Sequence, residues 1–282
     1  MRSFAIEAIS WCWWTWTPSF VRTAITRLID RPGRRRLQAA VRQFLAQDTS
    51  GWPEEMLEVV RFLQTYPSQM IPYPFAREFP DVAVARDPAS RLPYTVYAGK
   101  RLFFPRTWAA AKIRVYFGNL LIEQDIRSPH RYEFESCIVK TGDVVVDAGA
   151  SEGFFALSVI ETCAKAYLIE CDDLWSEPLR HTFAPWSDKV TFLNTWLADA
   201  DAPEDGRLTL DTLLGDEHVG FLKADIEGSE CALLRGCKRI LERSPAMRAA
   251  LCAYHSDTDA ATLSSLLSEA GFSVSVAQGF MV

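Results

Sequence analysis

Several absences narrow the possibilities before any motif is considered. The seven cysteines (Cys12, Cys137, Cys163, Cys171, Cys231, Cys237 and Cys252) form no C-x-x-C pair. With no zinc-type spacing, and with a length that needs no disulfide staples, no metal site and a reducing, cytoplasmic setting are expected. No apolar run reaches the roughly 20 residues of a spanning helix. The uncharged stretch from Ala8 to Val21 holds Trp11, Trp13, Trp14 and Trp16, but it is short and Pro18 interrupts it. It reads as a Trp-rich helix packed on the protein, with an interfacial helix flanked by arginine as the alternative. Internal repeats and low-complexity tracts are absent, and so is the G-x-G-x-x-G dinucleotide fingerprint.

A net positive charge is confined to the first 47 residues. Those carry eight arginines against Glu7 and Asp30, so a net +6 there sits against −12 in the remainder. A basic leader on an acidic body can meet an anionic membrane surface or an acidic partner, or dock on its own catalytic domain; docking or a solvated face is favoured. The acidic second half offers no basic stripe to follow a phosphate backbone, so nucleic acid is not an expected partner.

What is present is a change of pattern along the chain. Val21, Ile25 and Leu28, then Leu37, Val41 and Leu45, recur at helical spacing on either side of Arg31-Pro32-Gly33. Pro53-Glu54-Glu55 opens another helix with an apolar stripe at Met56, Leu57, Val60 and Leu63. A proline-rich connector over 66–93 precedes a β-hairpin near 94–105, and a helix-like stretch follows Trp108. From Thr141 onward, short apolar runs at 144–146, 166–169, 190–193, 221–224 and 249–254 alternate with helical stretches. Continuous apolar strands are expected where helices cover both faces of a parallel sheet. The end, Phe272 to Val276 and then Gly279 to Val282, alternates instead and predicts an antiparallel pair closing the sheet. The expected division is an N-terminal helical region over 1–127 and an α/β, Rossmann-like domain over 128–282.

Gly142-Asp-Val-Val-Val-Asp147-Ala-Gly149-Ala-Ser151-Glu152-Gly153 runs a strand into a glycine-bearing turn and a helix. Gly149 and Gly153 permit positive φ and close approach of a ligand, and Asp147 can accept hydrogen bonds. The loop falls at the carboxyl edge of the sheet, where such folds bind ligands. Glu152 in the turn opposes a phosphate, so a cofactor with a cationic sulfonium suits the loop better than NAD. Glu170, ending the next strand, is placed to hold ribose hydroxyls.

At this point the sequence resembles the FkbM-type methyltransferases over roughly residues 128–281. Asp147-Ala-Gly149-Ala-Ser151-Glu152-Gly153 looks like the family's cofactor loop and Glu170 like its ribose-binding acid. Leu210-Asp211-Thr212-Leu213 and Lys223-Ala-Asp225-Ile-Glu227-Gly228-Ser-Glu230 look like its L-D-x-L and K-x-D-x-E-G-x-E signatures. Where many members carry E-x-H, this chain has Ala253-Tyr254-His255, and it stops at Val282, where relatives usually continue the last strand. The resemblance implies a Rossmann-like methyltransferase sheet, S-adenosyl-L-methionine as cofactor, and methylation of an oxygen on a sugar or secondary metabolite. A small molecule or glycan is then the acceptor.

Asp225 and His255 follow neighbouring strands and are expected at one edge, with His255 as general base and Asp225 orienting it or contacting the acceptor. Glu227 divides between helix start and acceptor contact, and Glu230 reads as a helix-start acid. Lys223, inside a strand, suggests a salt bridge. Asp199 lies where such folds contact adenine, and Trp175 either stacks there or belongs to the core. Two rival functions remain: an interaction module that keeps the fold without catalysis, and a nicotinamide-dependent oxidoreductase.

Overall fold

Apolar runs of β-branched residues set the strands of the computed structural model, which describes residues 5–9, 46, 51–66, 71–79, 81–255, 258–277 and 279. In chain order the strands are β1 (Ala5–Ile9), β2 (Ala85–Arg86), β3 (Pro93–Tyr97), β4 (Lys100–Phe103), β5 (Val144–Ala148), β6 (Lys165–Ile169), β7 (Val190–Leu193), β8 (Trp196–Leu197), β9 (Arg207–Leu208), β10 (Phe221–Ala224), β11 (Arg248–Cys252) and β12 (Ser273–Val276). The α-helices are α1 (Glu54–Thr65), α2 (Ala110–Glu123), α3 (Phe154–Val159), α4 (Ser176–Thr182), α5 (Leu210–Leu214), α6 (Glu230–Arg235), α7 (Lys238–Arg243) and α8 (Asp259–Glu269). The expected Trp-rich segment, the two short helices before Gln47 and the final Phe280–Val282 run lie outside the described residues.

The main sheet has the order β12-β1-β11-β10-β5-β6-β7, and every neighbouring pair in it is parallel. Helices connect successive strands, so the fold is the Rossmann-like α/β sheet that the alternating runs predict. The C-terminal strand β12 runs parallel to β1, and the second strand of the antiparallel pair expected with it lies, apart from Gly279, outside the described residues. The strand β1 itself, in a region read as helical, lies between β11 and β12; Ala-Ile-Glu-Ala-Ile is too short for a period of 2 to be told from one of 3.6.

Both faces of the sheet are covered. Val145, Ala166, Leu168, Phe221 and Ala250 point into one core with Phe154, Phe155, Leu157, Ile160 and Phe183. Val146, Tyr167, Leu222, Ala249 and Leu251 point into the other with Leu210, Leu233, Ile240 and Leu263. Successive strand residues alternate sides, so a strand buried twice is apolar except where a buried charge finds a partner, as Asp147 and Lys223 do.

Ahead of the sheet, α1 buries Met56, Val59, Val60 and Leu63. The hairpin is present: β3 and β4 pair antiparallel across Ala98 and Gly99, both at positive φ, as a two-residue turn demands. Its strand β4 and helix α2 join the first core through Leu102, Phe104, Ile113 and Phe117, which fixes α2 against the site. Among the described residues no helix is long and apolar enough to cross a membrane.

Candidate active site

Strand order reverses at β5: the chain steps outward through β6 and β7, then returns to place β10 on the other side of β5. Loops after β5 and β10 therefore diverge and leave a crevice at the carboxyl edge. A cavity of about 430 Å³ fills it, within the range of a small-ligand site. Its walls come from the β5 loop (Gly149 to Glu152), the end of β6 (Glu170 to Asp172), Thr195 to Leu197, the β10 loop (Asp225 to Glu227) and α2.

Register builds the floor. Lys223 and Asp147 are direct neighbours across β10 and β5, and the ammonium lies 3.0 Å from the carboxylate with both side chains almost wholly buried. Lys223 Nζ also donates to the carbonyls of Ala148 (3.2 Å) and Gly149 (2.6 Å), and Tyr132 lies beneath it with its ring centroid 5.1 Å away. Burial works against that charge, yet Asp147 and Asp225 raise the lysine pKa, so the ammonium persists. The salt bridge suggested by a lysine inside a strand is present.

The β5 loop is held by backbone strain and close approach. Gly149 adopts φ 71° and lines the cavity, and a Cβ there would collide with the carbonyl of Asp225, so this glycine lets the two loops touch. Gly153 (φ 82°) is buried against Phe183 and Leu179 and does not line the cavity. Ser151 takes φ 47° without being glycine, and its N–H donates to Glu170 Oε2 at 2.8 Å. The other Glu170 oxygen accepts from Asp172 N at 2.7 Å, which orients the carboxylate at the end of β6. Glu152 is buried and accepts from the Tyr116 hydroxyl at 2.6 Å; burial raises its pKa.

Asp225 anchors the opposite wall. Its carboxylate accepts from Tyr132 (2.8 Å) and Tyr254 (3.1 Å), and Tyr254 Oη lies 3.2 Å from His130 Nε2. A hydroxyl has one proton, and Tyr254 gives it to Asp225, so His130 donates from Nε2 and leaves Nδ1 bare. The absence of a partner at His130 Nδ1 agrees with this, and burial lowers the histidine pKa, keeping it neutral. Burial would raise the Asp225 pKa, but Lys223, His130 and the two phenols together hold it below the usual carboxylate value. Asp225 is thus a fixed anion, each oxygen accepting one phenol and keeping a further lone pair, and a poor proton acceptor.

His255 is near Asp225 but not hydrogen-bonded to it. Its Nε2 is 3.7 Å from Asp225 Oδ1 and 3.4 Å from Glu230 Oε1, without a hydrogen-bond partner, and the ring sits outside the cavity lining. Glu230 is buried and its Oε1 accepts from Ile226 N at 2.8 Å, closing the β10 loop. Glu227 is exposed at the cavity rim with φ 54°. Asp199 is exposed and does not line the cavity, whereas Trp196, three residues earlier, does. Trp175 is both wall and core: it lines the cavity and packs edge-on to Trp108 at 5.3 Å between centroids.

Tyr116, Glu123 and Tyr132 are site residues to which the sequence reading gave no role, and Tyr254 entered it only within Ala253-Tyr254-His255. Three of them come from ahead of Thr141, where no motif marks them. Tyr254 stood in view, one place before His255.

Charge decides what the cavity can hold. Glu123, Asp147, Glu152, Glu170, Asp172, Asp225 and Glu227 line it, and Lys223 is the only basic side chain among the described lining residues. That lysine is consumed by Asp147 and two carbonyls, so a pyrophosphate would meet uncompensated acids while a cationic sulfonium would meet complementary charge.

A cleft at the switch point of a parallel sheet, walled by a strained glycine loop and acids, is the ligand-binding position of a Rossmann-like α/β fold. Residues 147–274 match the family model of the methyltransferase FkbM domain. Among solved structures the chain is similar to a methyltransferase FkbM from Methylobacillus flagellatus KT, at 27% identity over 45% of this chain and 37% of that one, with a TM-score of 0.40. It is also similar to a precorrin-6y C5,15-methyltransferase from Geobacter metallireducens GS-15, at 14% identity, 48% and 66% coverage, and a TM-score of 0.35. A third is a SAM-dependent methyltransferase from Thiobacillus denitrificans in complex with S-adenosyl-L-homocysteine, at 15% identity, 35% and 39% coverage, and a TM-score of 0.26. The alignment thus spans well under half the length of the first of these relatives. No curated protein matches the sequence.

Proposed function

We propose that this chain is an S-adenosylmethionine-dependent methyltransferase acting on a hydroxyl oxygen of a sugar or other small metabolite. One observation carries the reading: seven acids line the cavity beside the 149–153 loop and its one lysine among the described residues is already paired. Bound there, S-adenosylmethionine would supply an electrophilic methyl group on a cationic sulfur. Glu170, fixed by Ser151 N and Asp172 N, keeps lone pairs for ribose hydroxyls. Trp175 and Trp196 offer aromatic walls, and the main chain of the β5 loop takes the amino-acid end.

The task left to the protein is alignment and exclusion of water. Asp225, held by two phenols, orients an acceptor hydroxyl or adds negative potential, while Glu227 at the rim meets the outer part of the acceptor. His255 stands behind Asp225 and acts on its position. The cytoplasmic location expected from unpaired cysteines belongs to the same proposal.

Calorimetric titration of the full chain with S-adenosylmethionine, S-adenosylhomocysteine and NAD tests it. The first two are expected to bind and NAD is not; no heat from either adenosyl compound would refute the reading.

A further inference from the structure

One acid of the cavity has no role in the account above. Glu123 ends α2, outside the matched domain, and lines the cavity with Glu152 and Asp225 as its charged neighbours. No hydrogen bond or ion pair engages its carboxyl among the described residues. The groups facing this part of the cavity are Tyr116 on the same helix, Glu152 on the β5 loop, Lys223, Asp225 and Glu227 on β10 and its loop, and Tyr132 on the connector. Tyr116 is committed to Glu152, Tyr132 to Asp225 and Lys223 to Asp147. Three carboxyl groups therefore share a space with no free cation. Burial, with the charges of Glu152 and Asp225, pushes the Glu123 pKa up to about 8, so the side chain holds a proton at neutral pH.

We propose that Glu123 is the charge-matching acid of the site: it stays protonated while no cation is near, loses its proton when a sulfonium enters, and is then the base for the acceptor hydroxyl. This rests on the methyltransferase reading. The balance closes without another reactant. The acceptor oxygen bonds to the methyl carbon as the carbon–sulfur bond breaks, its electron pair goes to sulfur, and the hydroxyl proton passes to a Glu123 carboxylate oxygen. Sulfonium and carboxylate charges vanish together, and the neutral acid that remains is the form its two anionic neighbours favour.

S-adenosylmethionine and S-adenosylhomocysteine separate this idea from its premise, because they share every titrating group and differ in the charge on sulfur. Calorimetry of the full chain in buffers of different protonation enthalpy, between pH 6 and 8, counts the protons exchanged on binding. Binding of S-adenosylmethionine is expected to release close to one proton near pH 7 and to tighten by up to about tenfold per pH unit, as one linked proton requires. S-adenosylhomocysteine should show neither effect. Glu123→Gln should abolish the release while keeping S-adenosylhomocysteine affinity, and Glu123→Asp should restore it. Equal release with both ligands in the wild type overturns the inference whatever the variants do, and so does a release that survives Glu123→Gln, which would assign it to Glu152. If neither ligand binds the wild type, the methyltransferase reading fails and this inference falls with it.

Discussion

At the scale of single residues, the pairing of Lys223 with Asp147 shows how a strand tolerates charge. Two neighbouring parallel strands put the residues side by side, and backbone carbonyls saturate the ammonium. Breaking such a pair from one side leaves the partner buried and uncompensated, a loss of about 3–5 kcal/mol. Lys223→Ala is therefore expected to lower the urea midpoint strongly, and adding Asp147→Asn should recover most of the loss; a double variant as unstable as the single would contradict this account. The lysine was legible in the sequence as something needing a partner. Its partner became legible only with the register, since nothing in the local pattern says which strand lies beside β10.

Among the elements, the β5 loop is the most constrained. Gly149 and Gly142 both have positive φ, but a Cβ at Gly142 meets nothing, whereas one at Gly149 meets the Asp225 backbone. Alanine at either position incurs about 1–2 kcal/mol for left-handed backbone. Gly149→Ala should lose more stability than Gly142→Ala in chemical denaturation, because the β5 and β10 loops must also separate. Equal losses would mean that the two loops do not press on each other.

The core strands could be read in advance because doubly buried strands are mostly apolar, as Val144–Ala148 and Phe221–Ala224 are apart from the paired Asp147 and Lys223. The same sequence logic could not see α2 as a cavity wall. Its buried residues, Ile113, Phe117 and Ile122, announce a packed helix, while Tyr116 and Glu123 face the site only because of how that helix docks. Asp199 illustrates the converse: a motif position carried over from related folds is exposed here, outside the cavity.

At the scale of the whole molecule, acids gathered at one sheet edge link stability to pH. Glu123 in the folded chain titrates near 8, above its ordinary value, so the folded state binds a proton that the unfolded state has released. Its contribution is complete below about pH 4.3, the reference glutamate value, and is lost as pH rises toward 8. Glu152, also raised, acts in the same direction. Asp225 acts oppositely, since its lowered pKa makes its contribution disappear only in strong acid. Urea midpoints are therefore expected to fall from pH 5 to pH 8, and Glu123→Gln should flatten part of that slope; an unchanged slope would remove Glu123 from the cause.

The placement of α2 has a practical meaning for anyone dividing this protein into parts. Residues 147–274 hold the floor and most sides of the cleft, but the remaining side arrives from ahead of them, from Tyr116 to Gln124 and from Tyr132. Trimming to the recognisable block would yield a vessel open on one flank. Grafting a different leading segment onto the same block would refashion that flank while the floor and the other sides stay constant.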